Sequence, residues 1–141
     1  MGSEDSSSLS CRAALAHSPH SMRATLEHVL TPAAVERMIP LAKRFNDGVA
    51  TTVRPHDLPW NVIQLGAHAE YTFAVKPPRN GGESAAAADF DLERFLHLYA
   101  LNRGVLLTPF HNMALMSPAA TETDIDAHTK IFASANAKIT A

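Results

Sequence analysis

The chain has 141 residues, 46% of them hydrophobic, and its 12 Lys and Arg against 14 Asp and Glu leave a net charge of −2. Although 24 of the residues are alanine, the larger apolar residues still suffice for one core, and the length allows one domain of ordinary size. The charge balance excludes overall steering onto nucleic acid or an anionic membrane surface, and no apolar run approaches the roughly 20 residues of a membrane-spanning helix. Glu4 and Asp5 stand where a secretory signal would carry a basic stretch, and the lone Cys11 can neither form an internal disulfide nor anchor zinc by itself. The expectation is a cytoplasmic protein.

Residues 1–20 are rich in Ser and read as a poorly ordered tail, followed by a domain over 21–141. Met22, Leu26, Val29 and Leu30 fall at helical spacing, and Thr31-Pro32 then reads as an N-cap with proline in the first turn. Val35, Met38, Ile39, Ala42, Phe45 and Val49 give the apolar stripe of a second helix, in which Pro40 predicts a kink. A loop over Arg54–Pro59 leads to a strand at Trp60–Leu65, ended by Gly66, with Tyr71–Val75 as its partner across Gly66–Ala69.

Lys76–Ala88 is a connection of Pro, Gly and Ala. Asp89 or Asp91 caps a helix carrying Leu92, Phe95, Leu96, Tyr99 and Ala100, with Gly104 suited to its left-handed C′ position. Val105–Thr108 and Met113–Met116 read as short strands stopped by Pro109 and Pro118. Thr121 with Asp124 forms a capping-box pattern that opens a last helix through Ile125, His128, Ile131 and Phe132. The predicted order is α-α-β-β-α-β-β-α, an α+β fold with a small, mainly antiparallel sheet and helices on one face.

Eight histidines invite a metal reading, yet none occurs as H-x-x-x-H or H-E-x-x-H and no C-x-x-C accompanies them, so no metal site is expected. His28, His97 and His128 sit on predicted helices, where surface or rim positions account for them. His111 lies in a turn between predicted strands, placed either for a structural hydrogen bond or for binding. Neither a G-x-S-x-G elbow nor a G-x-x-x-x-G-K-[ST] phosphate loop is present, and Gly81-Gly82 reads as a flexible turn. Arg103 suits a cation at a helix C-terminus, ahead of the alternative of a carboxylate clamp. Pattern alone assigns no catalytic residue. What remains is a suggestive loop, Thr108-Pro109-Phe110-His111-Asn112-Met113.

That loop lies in the run Leu101-Asn102-Arg103-Gly104-Val105-Leu106-Leu107-Thr108-Pro109-Phe110-His111-Asn112-Met113, followed by Ala119-Ala120-Thr121-Glu122-Thr123-Asp124-Ile125-Asp126. The two runs resemble the C-terminal small domain of class III aminotransferases, most of all the glutamate-1-semialdehyde aminomutase group and its β-amino-acid transaminase relatives. In that family a helix ends in R-G, a strand runs G-V-x-L-x-P, and a second strand leads to T-E-x-D-I-D on the final helix. Met22–Glu27 matches the helix that opens the family's small domain, and Val62–Phe73 its hairpin. The resemblance covers residues 21 to 139.

The resemblance implies amino-group transfer on a small amino acid with pyridoxal 5′-phosphate, in a homodimer whose large cofactor-binding domain precedes this one. Family chemistry needs a Schiff-base lysine, an acid on the pyridine nitrogen and a phosphate cup. Of the lysines present, Lys43, Lys76, Lys130 and Lys138, none stands in the family's strand-loop context. The expectation is a fragment, truncated, frameshifted or separated from its large domain, that is inactive and binds no cofactor alone. By position Thr108, Phe110, His111, Asn112 and Met113 form a wall of the substrate pocket, with Arg103 a weaker carboxylate-binding candidate. Thr108 stands where many ω-amino-acid transaminases carry arginine, which fits the aminomutase and β-amino-acid branch. Phe110 and Met113 read equally well as core. The alternative is a stand-alone binding or interaction module, which would carry polar residues on the face that the large domain covers. The retention of Met22, Met38, Met113 and Met116 favours the fragment.

Overall fold

The computed structural model describes residues 19–108 and 111–141. The expected tail lies outside them but for residues 19 and 20, which already belong to the first helix, α1, over residues 19–28. Helix α2, Pro32–Val53, starts as its sequence dictates: Thr31 is extended, and its hydroxyl accepts the Ala34 N–H at 3.2 Å. It runs as one helix through Pro40 without a break.

The buried stripe of α2 is Ala34, Met38, Ala42, Phe45, Val49 and Val53. Val35 and Ile39, expected in the core, are 38% and 40% exposed. Each lies one residue, about 100° of helix rotation, beyond a stripe residue, and a stripe centred on Phe45 leaves them on the outer side.

A 3-10 turn at Arg54–His56 and a left-handed Asp57, φ +50°, lead into strand β1, Asn61–Leu65. Strand β2, His68–Thr72, pairs with it antiparallel, Leu65 facing His68. The strand expected at Tyr71–Val75 therefore begins and ends three residues earlier. Gly66, at φ +58°, lets the hairpin close over Gly66-Ala67 alone, so pairing starts sooner than a four-residue loop permits.

The connection after β2 contains a helix where only a loop was expected: α3, Gly81–Ala86. Asn80 Oδ1 accepts the Glu83 N–H at 2.9 Å, while the Arg79 guanidinium holds the Glu83 carboxylate at 2.8 Å and keeps it below the usual carboxylate range. Helix α4, Phe90–Leu101, is capped by Asp89, whose carboxylate accepts the Leu92 N–H at 3.0 Å. It closes in a Schellman motif. The Val105 N–H reaches the Ala100 carbonyl, the Gly104 N–H reaches that of Leu101, and Gly104 sits at φ +86°.

The strand expected at Val105–Thr108 does not form. Its apolar residues have strand propensity, but the Val105 N–H is spent on the Ala100 carbonyl, and the partner expected for it, β3, Met113–Leu115, pairs instead with β2, which has β1 on its other side. The sheet thus has three antiparallel strands in the order β1-β2-β3, and the element order is α-α-β-β-α-α-β-α. The α+β class stands.

Helix α5, Glu122–Ile139, opens on the anticipated capping box, Thr121 and Asp124 exchanging side-chain and backbone hydrogen bonds. It crosses α2 closely: Arg44 grips Asp126 bidentately at 2.7 and 2.9 Å, and Gly48 faces Thr129. Helix α2 packs on all three strands and α4 on α5. Between them Trp60, Tyr71, Phe73 and Phe132 gather, with Trp60–Phe73 ring centres 4.9 Å apart and Tyr71–Phe132 at 5.0 Å.

Candidate functional site

The Schellman turn at Gly104 and the start of β3 fix the two ends of the loop singled out in the sequence. Phe110 and Pro109 lie outside the described residues. The other loop residues divide between two cavities. Thr108 and Met113 line one of about 300 Å³, enclosed by residues 105–108, β3, Phe45 of α2 and His128 of α5. His111 and Asn112 line another of about 290 Å³, walled by Glu70 and Tyr71 of β2, by α3 and by Glu93 of α4. A small hollow between them, about 10 Å³, brings Thr108 together with Tyr71, Glu93, His97, His111 and Asn112.

The two cavities differ in chemistry. The first is apolar apart from Thr108, Ser117, Asp124 and His128. His128 is 3% exposed, and burial pushes its imidazole down to about 4, so it is neutral at pH 7. Its Nδ1 has no partner among the described residues. The second cavity is acidic. Burial raises the Glu93 carboxyl above its ordinary range; His111 opposes that shift, and the neighbouring Asp89 and Glu70 add to it. Burial also raises the Tyr71 hydroxyl, and the Glu93 charge adds to the effect.

Arg103 is not brought to either cavity. Its guanidinium stacks over the Tyr99 ring at 3.6 Å and donates to the Tyr99 carbonyl at 3.1 Å, at the C-terminal end of α4. Glu70, Tyr71 and Glu93 escaped the sequence reading. Glu93 looks like an ordinary first-turn acid and Glu70 like the polar half of a strand alternation. Only the fold, which brings the start of α4 and β2 to the lining of one cavity, unites them.

Pyridoxal phosphate does not fit the side chains in hand. Lys43 pairs with Asp47 at 2.6 Å on the exposed face of α2, and Lys76, Lys130 and Lys138 are exposed as well. Among the described residues no lysine or arginine lines the 300 and 290 Å³ cavities, and the acidic one would repel a phosphate. Among the described residues no three His, Cys, Asp or Glu side chains gather as a metal would require, and no helix is long and apolar enough to cross a membrane.

This three-stranded sheet, with helices packed against it and a short loop entering β3, is the small domain of the aminotransferase fold. The chain is related to glutamate-1-semialdehyde aminomutases and to class III ω- and β-amino-acid transaminases. It is 30% identical over 126 residues to the glutamate-1-semialdehyde 2,1-aminomutase of Bacillus subtilis (strain 168), a match covering 84% of this chain and 29% of that protein. The crystal structure of a glutamate-1-semialdehyde aminomutase from Pseudomonas aeruginosa PAO1 superimposes with a TM-score of 0.80 at 45% identity, covering 84% of this chain and 26% of the other. A variant of that enzyme, in complex with PMP, matches with a TM-score of 0.77 at 46% identity over 81% of this chain and 25% of the other. A β-phenylalanine aminotransferase from Variovorax paradoxus matches at 25% identity, TM-score 0.61, over 79% of this chain and 25% of that one. No protein-family model matches. The chain thus spans between a quarter and a third of the length of these relatives.

Proposed function

We propose that this chain is the part of a cytoplasmic, pyridoxal-phosphate-dependent aminomutase or transaminase that closes the substrate pocket, with Thr108, Phe110, His111, Asn112 and Met113 facing a small amino acid. The large cofactor-binding domain and a second subunit are its partners, and alone it turns over no substrate. Supporting the reading is an apolar face left open on α1 and the start of α2. Met22 is 61% exposed, Leu26 65%, Val29 48% and Leu30 42%, beside the unburied Val35 and Ile39. Large apolar side chains left open in such number over residues 22–39 mark a contact that the described residues do not make among themselves. A self-sufficient module would carry polar side chains there.

The test is a chimera in which this chain replaces the corresponding quarter of the Pseudomonas aeruginosa aminomutase. The expected result is a folded enzyme that converts glutamate-1-semialdehyde. A chimera that folds and binds PMP yet leaves both glutamate-1-semialdehyde and small amino donors unchanged would count against the reading.

A further inference from the structure

Helix α4 spends only one of its sides on the fold. Leu96 and Ala100 are buried, and the Tyr99 hydroxyl meets that of Ser134 on α5 at 2.8 Å. The opposite side carries Phe95, Leu98 and Leu101, which are 37%, 46% and 43% exposed. Asp91, Phe95, Leu98 and Asn102 follow one another at spacings of four, three and four residues, so they form one seam along that side. Phe95, Leu98 and Asn102 line, with Tyr99 and Arg103, a shallow depression of about 240 Å³.

The seam carries opposite charges at its two ends. Asp91 begins it, in the acidic first turn with Glu93, and its carboxylate has no hydrogen bond or ion pair among the described residues. Arg103 stands just past the other end. Its guanidinium stacks on Tyr99 and donates to the Tyr99 carbonyl, but meets no carboxylate among the described residues. Arg94, beside the seam, is turned onto the Phe90 ring at 4.8 Å.

We propose that this face docks on the same face of a second copy of the chain, the two α4 helices lying antiparallel about a two-fold axis between residues 96 and 97. The seam is its own complement under that rotation. Phe95 meets the partner's Leu98, and Asp91 meets the partner's Asn102 and the partner's Arg103, each contact occurring twice. The antiparallel arrangement also aligns the helix dipoles favourably. A parallel pair would instead set Asp91 against Asp91 and Arg103 against Arg103, which like-charge repulsion disfavours. The proposal rests on α4 and the turn after it, not on the functional reading above, so its failure leaves the chimera experiment untouched.

Sedimentation velocity of the 141-residue chain tests it. One helix face is smaller than the roughly 1,600 Å² of a standard stable interface, so a dissociation constant on the order of 100 μM is expected, read across about 10 μM to 1 mM. Leu98→Glu should abolish dimerisation while far-UV circular dichroism and Trp60 emission stay those of the parent, because Leu98 lies outside the core. Asp91→Lys and Arg103→Glu each set like charges at both ends of the pair and should weaken it about tenfold. Mixed in equal amounts, these two variants regain both pairings and should form a heterodimer of near-parental affinity, a result that a general loss of stability does not produce. A chain that stays monomeric would overturn the proposal. So would an association that Leu98→Glu leaves unchanged, as contact through the open face of α1 would give, or charge variants that do not recover on mixing.

Discussion

The imidazole of His128 lies stacked on the phenyl ring of Phe45, the centres 4.4 Å apart and the planes 27° from parallel. Phe132, one turn further along α5, stacks on it as well, at 5.6 Å. A buried histidine stacked on two phenyl rings, with Nδ1 unpartnered among the described residues, is neutral in the folded chain. It takes up a proton freely once the chain unfolds.

A pH dependence follows. The folded imidazole titrates near 4 and the unfolded one near 6.5, so below 6.5 the unfolded chain binds more protons and stability falls as pH drops toward 4. The loss approaches about 3 kcal/mol at the lower end. Urea melts of the chain at pH 7.5, 6, 5 and 4.5 measure it. His128→Phe should flatten that part of the profile, and a variant whose midpoint falls as steeply as the parent's would show that another group is responsible.

The crossing of α2 and α5 yields a second expectation. A Cβ on Gly48 would collide with the Thr129 hydroxyl, which itself donates to the Ile125 carbonyl at 3.0 Å. Gly48→Ala gains helix propensity, about 1 kcal/mol, but overpacking at such a contact costs about 1–3 kcal/mol, so a net loss is expected. Removing the obstruction reverses the sign: in a Thr129→Ala background, Gly48→Ala should stabilise the chain. A double-mutant cycle by thermal melting reads the coupling directly.

Arg103 supplies a third. Stacked on Tyr99 and bonded to its carbonyl, it should contribute about 0.5–1 kcal/mol through the ring contact and the helix end. Arg103→Ala in the chimera should lower stability by that amount and leave KM for the amino substrate unchanged. A KM raised many-fold would return it to the carboxylate-clamp role.

A fourth concerns cofactor. Because every lysine is exposed and none lines the 300 and 290 Å³ cavities, the chain mixed with pyridoxal phosphate and reduced with borohydride should carry only scattered, substoichiometric label. Stoichiometric labelling of one lysine, located by peptide mapping, would refute this.

The fifth separates wall from scaffold within the loop. His111 is exposed, so His111→Ala in the chimera should change relative kcat/KM among amino donors at nearly constant stability. Met113 is half-buried beside β3, and Met113→Ala should cost about 1–2 kcal/mol, less than the roughly 2–5 kcal/mol of a fully enclosed methionine. If both variants only destabilise, the loop is scaffold.

Local signals in the sequence proved the most legible. Thr31-Pro32, the Thr121–Asp124 box and Gly104 all work as read, because caps and left-handed turns are decided by a few adjacent residues. Helix α3 carried such a signal too: Asn80 followed three residues later by Glu83 is a capping pattern, masked by the surrounding Gly and Pro. What the sequence hid is decided at a distance. Residues 105–108 have strand character but leave the α4 turn with the Val105 N–H already tied to the Ala100 carbonyl, and the side of α2 that turns inward depends on α5. The candidate site split the same way. His111 and Asn112 were found by their place in a loop, whereas Glu70 and Glu93 belong to the same hollow only because separate elements bring them there.

Trp60 is the chain's only tryptophan, and it sits among Phe73, Tyr71 and Phe132, where the sheet meets α5. Its indole emission is therefore a built-in optical gauge of that junction. A red shift on dilution, heating or partner mixing would report the sheet parting from α5 without any added label.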